Sequence, residues 1–596
     1  MTTSDLPARF EAWLAVFDNA WATEDVVLME GLFLDPSYLR DNGALTFDYR
    51  QFHGRDEVCR VLFGVKADAK PTNFRLAEGW PEPSLVNLGV ADVVEAYFEF
   101  DTTFGSALAI VQGEEDADAP HGFRARALFT RLERVVGTED PVRFPEGVGY
   151  EPTRMGETWA EHQAHRMSFS DREPEVLVAG AGQSGLMIAA ELDRLGIDYV
   201  VVDKNARLGD NWRLRYNSLA LHNPTIMNHF LRLDFPSHYP EYMSKDHMAD
   251  WHEIYGRYFG LNVWLSTAFE SAEFDEQANV WNAQVVTADG TRRTLRPRHI
   301  VMSTGSAGSS PFIPDLPGIE DFGGTALHSS KFSAAADFDV RSALVLGLGS
   351  SGHDIALDLH SRGVDVTLVQ RGPVVAVDLD TANLAYAGYK DGVTPPDVTD
   401  LRFCIAAIDP IRVAACAAYN TLQRQLDADL IEGLERAGMV IGDGVDHLGW
   451  FDLYFRRGGG YYINVGASQA IIDGGIKVLQ NSRIDRFVPS GVRLDDGSVL
   501  EADLVVMATG YHNRRHDIAR HFGTDVADRV GDIAVFEADG DGEWANLYGQ
   551  TAQRNLWMMG GGILQVRQNA PRTAMLIQAD LKGLIPDSYR RGTRKF

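Results

Sequence analysis

The sequence predicts an α/β protein with two Rossmann-like dinucleotide-binding domains, preceded by a smaller α+β domain. Three observations carry this. Gly180-Ala-Gly182-Gln183-Ser184-Gly185 follows the apolar run 176–179 and opens a stripe of Ile188, Leu192 and Leu195 at helical spacing. Gly347-Leu-Gly349-Ser350-Ser351-Gly352 repeats the arrangement 167 residues later, after the apolar run 343–346. Residues 1–148 follow a different pattern, in which a helix precedes long alternating strands.

In that first segment Phe10, Trp13, Leu14, Phe17 and Trp21 fall on one helical face. Stretches 93–102, 106–112 and 123–135 alternate, the last placing Arg124 and Arg126 on one face and Ala125 and Ala127 on the other. The segment resembles the cone-shaped domains of the nuclear-transport-factor and ketosteroid-isomerase type, through Trp13 in the first helix and Arg40-Asp41 before the first strand. Such cones can house a catalytic aspartate. Asp41 has no identifiable partner in the sequence, so a structural role, or a homodimer formed through this domain, is expected instead. The polar stretch 149–173, rich in Glu, His and Arg, reads as a linker.

The first glycine turn suits a pyrophosphate, because Gly180 permits the tight turn, Gly182 the close approach of the ligand and Gly185 the packing of helix on strand. Gln183 and Ser184 lie at the same helix N-terminus. Asp203, followed by Lys204, stands 23 residues after Gly180 at the end of the run 199–202, where a carboxylate accepts hydrogen bonds from a ribose without a phosphate. At the matching position of the second turn stands Gln370, followed by Arg371. An amide beside a guanidinium admits a 2′-phosphate, so this half is expected to prefer NADP(H), with NADH tolerated because Gln370 can bond a free ribose.

Composition narrows the class. Hydrophobic content is 45% and charged content 23%, ordinary for a folded chain, and no apolar run approaches the ~18 residues of a membrane span. The start, Met1-Thr-Thr-Ser-Asp-Leu-Pro, lacks a basic region followed by an apolar core, so cytoplasmic residence is expected. A net charge of −29 disfavours nucleic-acid and anionic-membrane partners. The three cysteines, Cys59, Cys404 and Cys416, form no Cys-x-x-Cys pair, which disfavours a zinc site or a dithiol relay, and no metal is expected.

The runs 298–305 and 503–510 each close on a small residue and a glycine, and are read as strands marking returns to the first nucleotide fold. Between them, Pro311-Phe-Ile-Pro314-Asp-Leu-Pro317-Gly318 is too rich in proline for a helix or central strand and reads as a crossing between domains. The expected layout is therefore a cone-like domain over 1–148, a linker over 149–173, the first part of the first nucleotide domain over 174–332, the second nucleotide domain over 333–495 with an insertion at 378–475, and a return with a C-terminal helix over 496–596. In the insertion, Asp409, Pro410, Arg412 and Asn420 interrupt the apolar stretch 403–422, which favours a lid or tunnel wall over a membrane helix.

Phe322-x-Gly324-x-x-x-His328-x-x-x-Phe332 matches the identifying motif of flavin-dependent monooxygenases. Phe332 stands where Baeyer–Villiger enzymes usually carry Trp, which resembles the flavin-containing monooxygenase branch. Gly209-Asp-Asn-Trp212 and Ala508-Thr509-Gly510-Tyr511 resemble further family segments, and the whole resembles the bacterial type II flavin-containing monooxygenases with an N-terminal extension. The resemblance spans 174–585. It implies FAD on the first fold and NADPH on the second, and a C4a-(hydro)peroxyflavin that passes one atom of dioxygen to a small organic substrate. S- or N-oxygenation ranks first and Baeyer–Villiger oxidation of ketones second. A flavin-dependent reductase predicts a Cys-x-x-Cys or an acceptor-protein patch, and a non-catalytic flavin protein predicts degraded turns.

The resemblance places Leu219-Ala-Leu221-His222-Asn223-Pro224 beside the flavin ring, with Asn223 as catalytic donor and His222 in contact with the cofactor. Trp212 and Thr509 are cofactor-side candidates on the same basis. His328 is a candidate for proton transfer, although the reading of it as a hydrogen-bonded linker is preferred. Gly560-Gly-Gly562 precedes a helix whose N-terminus the resemblance aims at the flavin, with Gln565 and Arg567 in the pocket and Pro571 in a first helical turn.

Overall fold

The computed structural model describes residues 5–88, 92–119, 121–138, 156, 158–305, 310–534 and 542–591; the expected domain boundary at 148 and the linker positions 149–155 and 157 lie outside the described residues. Helix α1 (Leu6–Thr23), with a proline in its first turn, buries Phe10, Trp13, Leu14, Phe17 and Trp21 along one face. After it come α2 (Val26–Gly31), β1 (Phe33–Asn42), β2 (Tyr49–His53), α3 (Arg55–Ala69), β3 (Thr72–Leu76), β4 (Ser84–Asn87), β5 (Asp92–Thr102), β6 (Gly105–Glu115) and β7 (Phe123–Val135). The strands form one sheet in the order β2-β1-β7-β6-β5-β3, with β4 also paired to β5. Aromatic side chains fill the space between helices and sheet: Trp13 stacks on Phe10 and Phe17 with centroids 5.4 and 5.2 Å apart.

Asp41 is fully buried and accepts from the backbone N–H groups of Ala44, Leu45 and Thr46 and from the hydroxyls of Thr46 and Thr130. It pins the turn after β1. The expected alternation in β7 breaks at Arg126, because Gln112 pairs with Ala127 but Gly113 with Ala125. This bulge puts Ala125 in the helix-facing core and Ala127 and Phe129 in a second core on the other side of the sheet.

After α4 (Trp159–Ser168), opened by a Thr158–Glu161 capping box, the first nucleotide-type fold begins. It contains β8 (Val176–Ala179), α5 (Gln183–Arg194), β9 (Tyr199–Val202), α6 (Asp210–Arg213), α7 (Lys245–Tyr258) and β10 (Val263–Trp264). A three-stranded layer of β11 (Thr267–Asp275), β12 (Val280–Thr287) and β13 (Arg292–Leu295) precedes β14 (His299–Met302). Strands β10-β9-β8-β14 form a parallel sheet completed by a strand from the far end of the chain.

The second fold opens with β15 (Thr325–His328), β16 (Ser342–Leu346), α8 (Ser350–Ser361), β17 (Asp365–Gln370) and β18 (Val375–Asp378). The insertion holds α9 (Leu379–Asn383), α10 (Ala387–Lys390), α11 (Pro396–Ala406), α12 (Asp409–Leu426), α13 (Ala428–Arg436), α14 (Gly449–Arg457), β19 (Tyr461–Asn464) and α15 (Ala467–Ile472). Strand β20 (Ile476–Gln480), a small antiparallel layer β21 (Ile484–Val488), β22 (Gly491–Leu494) and β23 (Val499–Glu501), and β24 (Leu504–Met507) follow. The second parallel sheet runs β15-β24-β16-β17-β20.

Two expectations are corrected here. The run 503–510 supplies β24, which lies between β15 and β16 of the second sheet, and His328 ends β15 on the same sheet; the first sheet is completed instead by β25 (Leu556–Met558), reached through α16 (Arg515–Phe522) and α17 (Thr524–Val530). Both runs are buried apolar strands, so periodicity could not tell their sheets apart. The last helix, α18 (Ile563–Leu581), starts at the Gly562 cap and carries Pro571 inside it rather than in a first turn. Burial of nearly its whole length offsets the hydrogen bond that Pro571 forfeits.

The sheet face of the N-terminal domain that looks away from its own helices is also covered. Tyr97, Leu108, Ile110, Ala127 and Phe129 pack on Val398, Leu401, Cys404 and Ile405 of α11. Arg40 forms a buried ion pair with Glu543 and donates to the Cys404 carbonyl at 2.6 Å. A homodimer through this face is thereby excluded, since the same chain occupies it. Among the described residues no helix is long and apolar enough to cross a membrane.

Candidate active site

At the first turn Gly180 has φ +103°, and a Cβ there would lie 2.6 Å from the Ser303 carbonyl at the end of β14. A Cβ on Gly185 would sit 1.8 Å from the Gly180 carbonyl, so the helix can only approach the turn as glycine. Helix α5 starts at Gly182 with no capping side chain, and its first N–H groups are left for a ligand at the positive end of the helix. Asp203 closes β9 onto this turn, accepting from the N–H of Ala181 at 2.7 Å and of Asn205 at 2.8 Å. It remains half-buried, and Lys204 beside it is exposed. Ser184 is buried in the first turn of α5, and Gln183 reaches across to donate to the Gly561 carbonyl at 3.5 Å.

The second turn has the same build. Gly349 caps α8 without a side-chain bond and nothing lies within 4 Å of a Cβ added there, so the approach to Ser350, Ser351 and Gly352 is open. Gln370 departs from its expected role. It is buried, donates to the carbonyls of Gly372 at 3.0 Å and Val440 at 2.7 Å, and accepts from Val440 N–H and from Gln480, both at 2.8 Å. That saturated amide is a structural clip for β17, which leaves no group to bond a ribose. Arg371 next to it is exposed.

The loop after α6 belongs in sequence to the first fold but packs into the second, with Tyr216 and Leu219 in the same core as Leu348 and Ile355. Tyr216 donates to Asp354 of α8 at 2.8 Å, and His222 Nε2 stands 3.9 Å from the same carboxylate. Burial pushes the His222 imidazole down, outweighing the opposite pull of Asp354, and holds the Asp354 carboxyl up. His222 is thus a neutral ring at the junction. Trp212 packs against both cores, under the guanidinium of Arg215, and its indole N–H has no partner among the described residues.

Asn223 is half-buried, and its Oδ1 accepts from Nδ2 of the buried Asn228 at 3.0 Å. That bond orients the amide. Its own Nδ2, which makes no hydrogen bond among the described residues, is left as the donor. At the start of α18, Gln565 Oε1 accepts from Tyr454 at 2.8 Å and Tyr548 donates to the Gly560 carbonyl at 2.5 Å. Arg567 is no pocket cation: it pairs with Asp400 at 2.8 and 3.0 Å and donates to the carbonyls of Met227 and His229 at 2.7 and 2.9 Å.

Thr509 donates to the Phe312 carbonyl at 2.5 Å, fastening the end of β24 to the proline-rich crossing. His328 holds the same junction. Its Nδ1 accepts from Ser330 N–H at 3.2 Å, so its Nε2 donates to the Gly510 carbonyl at 3.0 Å, and burial pushes its pKa down. With both nitrogens engaged, His328 is a linker and not a proton-transfer group.

Sequence reasoning missed Asp354, Tyr216, Asn228, Asp400 and Arg514. Arg514 is a buried cation that donates to the Met302 carbonyl at 2.7 Å beside Gly560, with burial lowering its pKa to about 10. For these residues the partner lies on another element, and no local spacing advertises it.

Residues 177–384 match the family described as pyridine nucleotide-disulphide oxidoreductase. That segment contains no cysteine, and Cys59, Cys404 and Cys416 are all buried and free. The chain is 30% identical over 344 residues to indole-3-pyruvate monooxygenase YUCCA1 of Oryza sativa subsp. japonica, covering 57% of this chain and 77% of that protein. It is 28% identical over 342 residues to probable indole-3-pyruvate monooxygenase YUCCA3 of Arabidopsis thaliana, covering 56% and 73%. Among solved structures, an open form of cyclohexanone monooxygenase superposes with a TM-score of 0.50 at 18% identity over 69% of this chain and 88% of that one. A mutant of the Rhodococcus sp. Phi1 cyclohexanone monooxygenase bound to NADP+ gives 0.50 at 19% identity over 69% and 86%. The structures establish the shared fold and the sequence relatives the kinship: the chain belongs to the FMO-type flavoprotein monooxygenases, enzymes that depend on FAD and NADPH.

Proposed function

We propose that the enzyme holds FAD on the first nucleotide fold and NADPH on the second, and oxygenates sulfur or nitrogen in small neutral molecules. The uncapped N-termini of α5 and α8 fit two pyrophosphates, Asp203 fits an unphosphorylated ribose, and exposed Arg371 fits the 2′-phosphate. Gly180, Gly182, Gln183, Ser184, Gly185, Lys204, Trp212, His222, Thr509 and Gln565 would surround FAD, and Gly347, Gly349, Ser350, Ser351 and Gly352 NADPH. When bound, FAD reduced by NADPH supplies activated oxygen.

The chain's own task is to aim donors, exclude water and keep the site free of stray charge. The orientation of Asn223 carries the reading, because its Oδ1 is committed to Asn228 and its Nδ2 is presented as a neutral donor. His222 beside it is held neutral, and Arg567 is consumed by Asp400. Transfer of an electrophilic oxygen to a sulfide or amine needs such a donor. Insertion beside a ketone starts with nucleophilic addition to the carbonyl, for which a cation must hold negative charge. One observation favours this second chemistry: the sequence relatives are named for indole-3-pyruvate, a 2-oxo acid.

The test is NADPH oxidation under oxygen with a thioether, a tertiary amine, a cyclobutanone and an aryl 2-oxo acid in turn, with product analysis. Sulfoxide or N-oxide as the main product supports the first reading, and lactone or decarboxylated acid the second. We also infer that residues 6–135 form a cone of the ketosteroid-isomerase type that has lost its cavity, a reading supported by the helices laid on one sheet and the aromatic filling.

A further inference from the structure

Arg567 joins three parts of the molecule that are far apart in sequence. Its Nη1 donates to the carbonyls of Met227 and His229, which flank Asn228, the residue that orients Asn223. Its Nε and Nη2 grip both oxygens of Asp400 on α11, whose carboxylate also accepts from Tyr389. Both partners of this ion pair are buried. A planar guanidinium with four bonds in fixed directions locates its acceptors far more tightly than an ammonium could.

Helix α11 has a second side. Val398, Leu401, Cys404 and Ile405 pack on Tyr97, Leu108, Ile110 and Phe129 of the N-terminal sheet. Arg402 of the same helix pairs with buried Glu95 at 2.9 Å, and Glu95 is itself fixed by Tyr97 at 2.6 Å and Gln112 at 2.8 Å. On α18, Arg572 reaches Glu133 of β7 at 2.6 Å. The N-terminal domain therefore grips both helices that carry the clamp.

We propose that Arg567 and Asp400 are positioning residues for the oxygenation site, and that the N-terminal domain is their outer support. The path runs from the sheet through α11 and Asp400 to Arg567, then to the Met227 and His229 carbonyls, and through Asn228 to the Asn223 amide. This rests on the reading of Asn223 as the donor. It assigns the extra domain a mechanical role in oxygen transfer, with no chemistry of its own.

The experiment uses the full-length, FAD-loaded protein and two variants. Arg567→Lys keeps the charge and loses the fork, and Leu401→Ala loosens α11 against the sheet from the far side. Amide hydrogen exchange over residues 223–231 should quicken about tenfold in Arg567→Lys and severalfold in Leu401→Ala. With a thioether, product formed per NADPH consumed should fall roughly threefold or more, with hydrogen peroxide making up the difference, while the Michaelis constant for NADPH holds. Parent-like exchange over 223–231 in both variants would overturn the proposal. Faster exchange with unchanged coupling would leave the brace standing and remove the role given to Asn223. If one variant fails to fold, the other decides.

Discussion

Two amides in this chain carry similar chemistry and have opposite fates. Gln370 has every hydrogen-bonding atom taken by neighbouring strand and loop, whereas Asn223 has its oxygen bound and its nitrogen left over. Replacing Asn223 with Ala should therefore cut oxygenation by about tenfold or more and divert NADPH to hydrogen peroxide, as the loss of one aimed donor does elsewhere. Arg371, the exposed residue beside the clip, carries coenzyme choice. Arg371→Ala should raise the Michaelis constant for NADPH by roughly tenfold and leave that for NADH nearly unchanged, because only the phosphate contact disappears. Equal damage to both coenzymes would remove Arg371 from the site. These residues were legible by spacing from the glycine turns. The saturation of Gln370 was not, since Val440 and Gln480 lie 70 and 110 positions away.

The strand–turn–helix units were legible because each is local: an apolar run, three glycines and a helical stripe determine one another within about twenty residues. They also supply clean tests. Gly182 and Gly349 both have ordinary negative φ, and an added Cβ meets only the Asn211 side chain at 3.3 Å in the first case and nothing in the second. Gly182→Val should fold yet lose bound flavin and its yellow colour, while Gly349→Val should stay yellow but no longer be reduced by NADPH. The reverse pattern would exchange the two cofactor assignments. By contrast β24 was misassigned, because the sheet that receives a buried strand is decided by tertiary packing, and α18 was started too late, because Pro571 was read as a boundary when burial holds the helix through it.

At the scale of the whole molecule, the domain sequence was legible from the change of hydrophobic period, but the welding of the first domain to α11 and α18 was not. That contact joins residues about 300 and 440 positions apart, such as Glu95 with Arg402 and Glu133 with Arg572. The two nucleotide folds also share an acid weakness. His252 in α7 and His353 in α8 are fully buried, and burial pushes both down to about 4 from an ordinary 6.5. Unfolding lets each take up a proton below pH 6.5, so stability is full above that value and declines as pH falls towards 4, by about 2 kcal/mol for each ring at pH 5. Melting temperature measured from pH 7.5 to 5 should fall accordingly, and His353→Gln should flatten the slope; a level profile would contradict the burial of these rings as neutral groups.

The most direct measurement is turnover of a thioether by the FAD-loaded enzyme with NADPH under 18O2. The account predicts a sulfoxide carrying one labelled oxygen for each product molecule formed. NADPH consumption recovered entirely as hydrogen peroxide, with unlabelled thioether returned, would contradict it.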